Sequence, residues 1–355
     1  MNDQADYTSG AADRALTVPI CIIAAILVAA AAYYASSIFA PLAVALFIMA
    51  LVWPVQRVLQ ARMPQLIALF LTMIATIAVG VVFASVVVWA VGRVGRSVMM
   101  DYARYELFYL GFADWLEAQG VSIAGIWADH FDGAWMMGMA RYLGSRVQTT
   151  LVFWIIAFTY LLLGLLEVGD MRRKIAAMKN PETARILMDG ARIIAAQYRR
   201  YLMVRTMMSA LTGVLVWIFA KAVGLPFAEE WGVIAFALNY IPFIGPFFAT
   251  LLPTLLAMTT FETWQAVILV FLCLNAIQFI VGSYIEPRVA GNVLSVSPTL
   301  VLFVIFFWTL LWGLLGTLLA MPITIAILTF CSLHPRSRWL ADLLGSPPKE
   351  DPSPP

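Results

Sequence analysis

The stretch LNYIPFIGP, residues 238–246, interrupts a long apolar run with two prolines and a glycine: Pro242, Pro246 and Gly245. Each proline lacks a backbone N–H, and glycine adopts backbone conformations that other residues avoid, so we expect a helix to break here. Broken helices of this kind form substrate and ion sites in secondary transporters. The alternative is a proline kink that only shapes packing, and the residue types alone favour neither.

A second break follows at SYIEPRVAGNVLSVSP, residues 283–298. Glu286 and Arg288 flank Pro287 here, and they are two of only six charged residues between positions 206 and 332. Charged side chains inside a membrane are costly and are usually functional. If the segment is instead an external loop, the two residues form an ordinary surface pair.

The composition places both breaks in a membrane protein. Of 355 residues, 63% are hydrophobic and 12% are charged, whereas soluble domains have about 25% charged residues. This composition excludes a water-soluble enzyme, a disordered protein and a disulfide scaffold. The net charge of +2 is too small for a general nucleic-acid-binding protein. We therefore predict an all-α, polytopic integral membrane protein of about eight transmembrane helices, with broken or re-entrant segments in its C-terminal half.

Apolar windows give the positions of these helices, because a bilayer core about 30 Å thick needs about 20 apolar residues per helix. Residues 15–56 carry no charge, and Pro41 divides them into two spans. The last window is long enough for one tilted or kinked helix, or for a helical hairpin that does not cross the membrane. The predicted windows are about 18–38, 41–58, 63–92, 147–166, 202–220, 231–258, 263–284 and 299–333.

Two charged stretches separate the spans. Residues 93–146 combine aromatic and charged residues at helical spacing, which predicts an external amphipathic insert. Residues 169–205 hold nine Lys and Arg against three acidic residues. This excess indicates the cytoplasmic side, and counting spans from there puts both termini in the cytoplasm. The predicted organisation is a cytoplasmic N-terminal tail (1–17), helices 1–3 (18–92), the insert (93–146), helix 4 (147–168), a basic cytoplasmic helical stretch (169–205), a transport region with helices 5–8 (206–333) and a disordered cytoplasmic tail (334–355).

Residue types that bind cofactors or perform catalysis are scarce. The three cysteines lie in apolar runs and only two histidines are present, so we expect no metal and no other cofactor. The chain contains no HExxH, GxSxG or GxxxxGK(S/T) motif. We therefore expect neither an enzyme nor a nucleotide-driven pump, and any pumping must use an ion gradient or a partner.

Two further patterns concern the C-terminal half. The segment Gly245–Pro253 is echoed by Gly313–Pro322, which is either an internal repeat or chance in a Leu-rich chain. Asn275 and Gln278 are three residues apart and so share a face of the seventh span. Such amides either line a pathway or hold helices together, and the second role is the commoner.

Three blocks together resemble a known family. LNYIPFIGP (238–246), YIEPRVAGNVLSVSPTLVLF (284–303) and WGLLGTLLAMPITI (312–325) are similar, in order and spacing, to the signature blocks of the autoinducer-2 exporter (AI-2E) family of permeases. The resemblance implies an all-helical bacterial inner-membrane transporter that assembles as a homo-oligomer, a pentamer. It also implies export of a small polar signalling molecule in some members and sodium (lithium)/proton antiport in others.

Three hypotheses for function follow. The first is a gradient-driven or facilitative exporter of a small polar solute, in which Glu286 carries a coupling proton or cation. The second is a monovalent cation/proton antiporter that uses Glu286 directly, and the third is an oligomeric membrane scaffold whose stretch 169–205 binds a partner or anionic lipid. The candidate transport residues are Asn239, Pro242, Gly245, Pro246, Asn275, Gln278, Glu286, Pro287, Arg288, Gly291, Asn292, Pro298, Gly313, Gly316 and Pro322.

Overall fold

The protein is helical throughout the part that the structure describes. This structure is a computed structural model, and it describes residues 19–20, 23–100, 117, 133–261, 263–290, 297–335 and 337–344. Within these ranges all regular secondary structure is helical, and six helical stretches are long and apolar enough to cross a membrane by length and composition, although one of them, Thr299–Leu333, reverses partway along. The prediction of an all-α, polytopic membrane protein is thus confirmed.

Except between α3 and α4, the helices follow one another with short connections. In chain order they are α1 (Ile23–Tyr34), α2 (Ser36–Gln60), α3 (Gln65–Met100), α4 (Gly133–Ala176), α5 (Pro181–Ala222), α6 (Ala228–Leu238), α7 (Ile244–Thr260), α8 (Trp264–Phe279), a π-helix (Ile280–Ile285), α9 (Glu286–Ala290), α10 (Pro298–Leu333) and α11 (Arg338–Leu344).

The first boundary lies at Ala35 and not at Pro41. Only Ala35 separates α1 from α2, and its carbonyl accepts hydrogen bonds from the backbone N–H of Ile38 and Phe39, so the chain bends rather than reverses. Pro41 is buried inside α2, where it interrupts a single helical hydrogen bond. The structure therefore joins the two predicted spans into one bent element.

The predicted external insert and the predicted disordered tail also differ in part from expectation. Most of the predicted insert lies outside the described residues, and its first part, 93–100, continues α3. In the predicted disordered tail, α11 is helical, and the backbone N–H of Ser297 donates to the Leu344 carbonyl at 3.4 Å. This part of the tail is therefore tied to the start of α10.

The longest element with described side chains is α5. Its 42 residues extend about 63 Å at 1.5 Å per residue, about twice the thickness of the bilayer core. Its start is well defined, because the Asn180 side chain accepts hydrogen bonds from the N–H groups of Glu182 and Thr183, and Pro181 occupies the first helical position. Residues 181–205 of the predicted basic stretch and the predicted fifth span thus form one continuous helix, whereas residues 169–176 are the end of α4.

Residues 228–260 form the first hairpin, which consists of α6, residues 239–243 and α7. α6 packs along α5 from the Ala222 end, and Asn239 at its far end donates to the Ser209 hydroxyl at 3.3 Å. Ser209 lies about 20 Å from Ala222 along the helix. The chain then turns so tightly that a Cβ at Gly245 would lie 1.8 Å from the Leu238 carbonyl oxygen.

The far end of α7 is back at the Ala222 end of α5. Ala257, near this end, is buried in the same apolar cluster as Ala228, at the start of α6, and Ala220, near the end of α5. The sequence predicts a single span over 231–258. The structure instead has a hairpin, and both of its ends lie at the Ala222 end of α5. An apolar run of that length can form either a single span or a hairpin. The break at residues 239–243 determines which of the two forms.

Residues 298–333 form the second hairpin, in which α10 reverses at Trp312 and Gly313. Gly313 has φ +60° and ψ −140°, a conformation that favours glycine. The hydroxyl oxygens of Thr309 and Thr317 lie 2.7 Å apart, whereas residues eight apart in a straight helix are separated by about 12 Å. Of the two predicted alternatives for this window, the structure has the hairpin.

The second hairpin approaches α5 from the opposite end. Near its C-terminal end, the Thr329 hydroxyl donates to the Gln197 side chain at 2.8 Å, and Phe330 packs against Gly190. These positions are on the Pro181 side of α5. The two hairpins therefore enter from opposite ends of the same helix.

One glycine in each hairpin allows the two arms to touch. A Cβ at Gly316 would lie 1.8 Å from the Trp308 carbonyl oxygen, the same separation as between Gly245 and Leu238. The residue four positions later is a buried alanine in both hairpins, Ala249 and Ala320. The predicted repeat pairs Gly245 with Gly313, whereas the packing pairs it with Gly316, because only Gly316 has an opposing carbonyl against it.

We expect Gly316→Ala to lower the free energy of unfolding by at least about 1–3 kcal/mol, because its Cβ has no space beside the Trp308 carbonyl. Thermal unfolding of the purified protein in detergent measures this loss. Gly80→Ala is the matched control, since a Cβ there meets no atom within 4 Å. Equal unfolding temperatures for the two variants would contradict the close approach of the arms.

Candidate functional site

Both hairpins pack on one face of α5. The buried residues of this helix recur at steps of three and four, a spacing that places them on a single face. They are Ala184, Gly190, Ile194, Tyr198, Tyr201, Val204, Arg205, Met208, Ser209, Thr212, Gly213, Val216 and Ala220.

The two hairpins divide this face between them, and Arg205 lies at the division. The first hairpin reaches down to Thr206, whose hydroxyl accepts a hydrogen bond from Tyr240 at 2.9 Å. The second hairpin reaches up to Tyr201, which packs in one apolar cluster with residues from both of its arms, Val304 and Met321. A charged side chain therefore occupies the short segment of α5 between the two hairpins.

Polar side chains gather where the first hairpin turns. Asn239 is buried and donates to Ser209, which has no exposed surface. Thr212, one turn further along the same face, is also fully buried, and its hydroxyl has no hydrogen-bond partner among the described residues. These three residues, the bonded pair Thr206 and Tyr240, and the ion pair of Arg205 and Glu286 are together called the polar cluster: Arg205, Thr206, Ser209, Thr212, Asn239, Tyr240 and Glu286.

The turn of the first hairpin holds a strained residue. Phe243 has φ +61° and ψ −52°, and the Ile244 N–H donates to the Pro242 carbonyl at 2.7 Å, which together make a γ-turn of positive φ. This conformation is costly for an aromatic residue, and such strain concentrates at functional sites. The Phe243 side chain is exposed, so packing of its ring does not account for the strain.

Arg205 and Glu286 form an ion pair. Arg205 Nη1 donates to Glu286 Oε1 at 2.7 Å, and the two side chains are only 10% and 17% exposed. Arg205 Nε is buried and has no partner in the described part of the chain. The guanidinium therefore uses only part of its hydrogen-bonding capacity in this state.

The π-helix directs Glu286 toward α5. Residues 280–285 take one more residue per turn than an α-helix, and each extra residue rotates the following side chain by about 100°. Val281, inside this segment, is buried against Val204 and Met208 of α5. Glu286, the next residue after the π-helix, is thus brought to Arg205.

Arg288 is not the partner of Glu286. Its guanidinium lies over the Tyr284 ring, 3.6 Å from the ring centre, and both Arg288 and Pro287 are exposed. The alternative of an ordinary surface pair between Glu286 and Arg288 is therefore wrong. Arg288 makes a cation–π contact with Tyr284. Glu286 pairs with Arg205 of α5, which is far from it only along the sequence.

The two predicted amides of α8 lie in different environments. Asn275 is exposed and donates to the Phe271 carbonyl of its own helix at 2.8 Å. Gln278 is half-buried, and its Nε2 atom is buried without a partner among the described residues. The structure therefore keeps Asn275 away from the polar cluster.

The remaining predicted residues belong to the hairpins or lie beyond the described chain. Gly291 and Asn292 are outside the described residues. Pro298 begins α10, behind Ser297, whose hydroxyl accepts from the Leu300 N–H. Gly313 and Gly316 form the turn and the close approach of the second hairpin, and Pro322 is buried in its second arm. Pro242 and Gly245 form the turn and the close approach of the first hairpin, and Pro246 lies in the first turn of α7.

A second charged group lies at the Ala222 end. Glu230 is 2% exposed, and its Oε1 lies 2.8 Å from Arg93 Nη1, though not in line for a hydrogen bond. Glu229 and Lys221 form an exposed pair at 3.5 Å. A hydrogen bond from its own backbone N–H, in the first turn of α6, lowers the pKa of the Glu229 carboxyl from its ordinary value, and Lys221 adds to this effect.

Sequence reasoning missed Arg205, Ser209 and Thr212. Arg205 is the last residue of the basic stretch 169–205, and it directly precedes a run without charge up to Lys221. With Ser209 and Thr212 it continues one helical face, and that spacing was the available signal. Among the residues that the structure describes, no three His, Cys, Asp or Glu side chains could together hold a metal ion.

Comparison with known proteins matches nearly the whole chain. A protein-family model described as "AI-2E family transporter" matches residues 22–335, which include both hairpins and the polar cluster. A "Putative transport protein" of Borreliella burgdorferi is 28% identical over 322 residues, 88% of this chain and 86% of the relative.

Two proteins of Escherichia coli are also similar. The "AI-2 transport protein TqsA" is 27% identical over 298 residues, 83% of this chain and 85% of TqsA. The "Putative transport protein YhhT" is 30% identical over 216 residues, 61% of this chain and 58% of YhhT.

We expect Arg205→Leu to lower the free energy of unfolding by about 3–5 kcal/mol, because it leaves the Glu286 carboxylate buried and unpaired. The double variant Arg205→Leu/Glu286→Leu should recover most of this loss. Chemical unfolding of the detergent-solubilised protein measures both. Glu229→Gln, which breaks an exposed pair, is the control and should leave stability unchanged; a double variant as unstable as the single one would argue against the buried pair.

Proposed function

The chain belongs to the AI-2E family of transporters, and we propose that it carries a small polar solute across the bacterial inner membrane through the polar cluster. The observation that carries this proposal is the position of the cluster. Its buried polar groups lie where the first hairpin turns at depth and where the two hairpins divide α5. Groups that bind a polar solute inside a membrane are expected at such interruptions of helices.

Each polar group has a proposed role. Asn239, Ser209 and Thr212 offer hydrogen bonds to the solute, and the unpartnered Thr212 hydroxyl is available without breaking an existing bond. Tyr240 holds the turn of the hairpin against Thr206. The Arg205–Glu286 pair supplies a charged boundary at the lower edge of the cluster.

The hairpins provide a route for access from either side. The first hairpin enters from the Ala222 end and the second from the Pro181 end, and each turns inside the protein. We propose that movement of one hairpin exposes the cluster to one side while the other keeps it closed. The strained turn at Phe243 suits this role, because a strained segment changes conformation at lower cost than a relaxed one.

Autoinducer-2 (AI-2) is the first solute to test, because the relative TqsA is named an AI-2 transport protein. We propose export, by a gradient-driven or facilitative mechanism, since the chain has no nucleotide-binding motif. The Lys and Arg excess of 169–205 favours the Pro181 end of α5 as the cytoplasmic end. We further propose that copies assemble into a homo-oligomer, as the family resemblance implies, with a pentamer as the expected size.

The antiporter alternative is less favoured by the geometry. A carboxylate held in an ion pair exchanges a proton or a cation only when the pair opens. Glu286 is the acid that this alternative needs, and Arg205 occupies it. The scaffold alternative leaves the buried polar groups of the cluster without a role.

Asparagines at two positions allow a matched test of the site. We expect Asn239→Ala to lower AI-2 efflux from loaded proteoliposomes about tenfold, since a site hydrogen bond is worth about 1–2 kcal/mol. Asn275→Ala should leave efflux unchanged, because Asn275 is exposed and bonded to its own helix. Equal efflux from both variants would remove the turn of the first hairpin from the transport site, and absence of AI-2 efflux from intact wild-type protein would exclude AI-2 as the solute.

Cation pulses test the antiporter alternative. Proteoliposomes with an internal pH dye receive sodium, potassium or lithium, and we expect no cation-dependent pH change, because Arg205 neutralises Glu286. A pH change in the wild type that is absent in Glu286→Gln would instead establish antiport and make solute export secondary.

A further inference from the structure

We propose that Arg205 recognises an acid group on the solute, a carboxylate or a phosphate, and that Glu286 is the internal carboxylate which this group displaces. The inference rests on the proposed function and replaces its first solute: if the inference holds, the solute is a small polar anion, and AI-2, which has neither a carboxylate nor a phosphate, is not the preferred solute.

Arg205 has hydrogen-bonding capacity that Glu286 does not use. A guanidinium presents five N–H donors in a planar fork that matches the two oxygens of an acid group. Arg205 uses Nη1 toward a single oxygen of Glu286, at 2.7 Å, and its buried Nε has no partner among the described residues. Part of the fork is therefore available to an acid group that approaches with two oxygens.

The surroundings of Arg205 suit a small polar solute. The side chain is nine-tenths buried, at the division between the two hairpins. Ser209 and Thr212 are buried on the same face of α5, one and two turns away. An acid group on Arg205 would thus place the rest of a small solute beside buried hydroxyls.

The charge of Arg205 is already balanced by Glu286. Arg205 and Glu286 together are neutral, so a second anion beside one guanidinium would add an uncompensated buried charge. The solute must therefore exchange with Glu286 rather than join it. Glu286 directly follows the π-helix, an irregular segment of the kind that often lies at functional sites, and this position allows its carboxylate to turn away from α5.

This exchange predicts how anion binding responds to removal of the competing carboxylate. In Glu286→Gln the guanidinium loses its internal partner, so sodium acetate or sodium phosphate should bind about tenfold more tightly than to the wild type. In the double variant Arg205→Gln/Glu286→Gln both charges are absent, and neither salt should bind.

The experiment uses the purified full-length protein in detergent. Thermal unfolding is followed while sodium acetate or sodium phosphate is titrated at constant ionic strength, and sodium chloride and glycerol serve as charged and neutral controls. Arg288→Gln is the matched arginine control, because Arg288 is exposed and stacked on Tyr284. It should respond as the wild type does.

The outcomes separate the inference from the proposed function. A saturable rise in unfolding temperature with acetate or phosphate, absent in the double variant, supports the inference even if no solute flux is found. A response that persists in the double variant, or equal responses to acetate, phosphate and chloride in Glu286→Gln, overturns it. If Glu286→Gln does not fold, the comparison of wild type with the double variant decides. Transport of a neutral polyol that survives Arg205→Gln/Glu286→Gln would overturn the inference and leave the proposed function standing.

Discussion

A backbone that leaves the helical conformation inside a membrane must find partners for its N–H and C=O groups within the protein. Both hairpins meet this constraint by bringing their arms together, and each depends on one glycine, Gly245 or Gly316, against an opposing carbonyl. The polar side chains of the arms follow the same rule. The hydroxyls of Thr254 and Thr324, for example, donate to the carbonyl four residues earlier. Closely packed arms therefore let the chain reverse while these hydroxyl groups stay hydrogen-bonded within the protein.

Charge obeys the same constraint with fewer options. Between residues 206 and 332 only six charged residues occur, and two of them lie beside arginines of other helices, Glu230 fully buried and Glu286 largely buried. An unpaired carboxylate there would be strongly destabilising. One pair fastens α3 to the start of the first hairpin, and the other joins α5 to the end of the π-helix. The first pair thus lies above the polar cluster, and the second forms the lower edge of the cluster.

The sequence predicts much of this fold but not the partners within it. The break at 238–246 follows from Pro242 and Gly245 alone, whereas the direction of the chain after the break depends on packing that a run of apolar residues does not encode. The bend at Ala35 has the same cause, since Pro41 fits within a helix that bends before it. Glu286 meets Arg205 from 81 residues away, and spacing along the chain indicates only near neighbours. Local chemistry was therefore predictable, and long-range pairing was not.

Because both hairpins rest on a single face of α5, they share one support. A small rotation of this helix about its long axis would shift the supports of both hairpins at once, in the same angular sense but at opposite ends. About half of α5 extends beyond the thickness of the bilayer core. A torque applied to that half by a ligand, a lipid surface or a neighbouring subunit would thus act on both sides of the membrane together. In this fold, one helix mechanically synchronises the two hairpins.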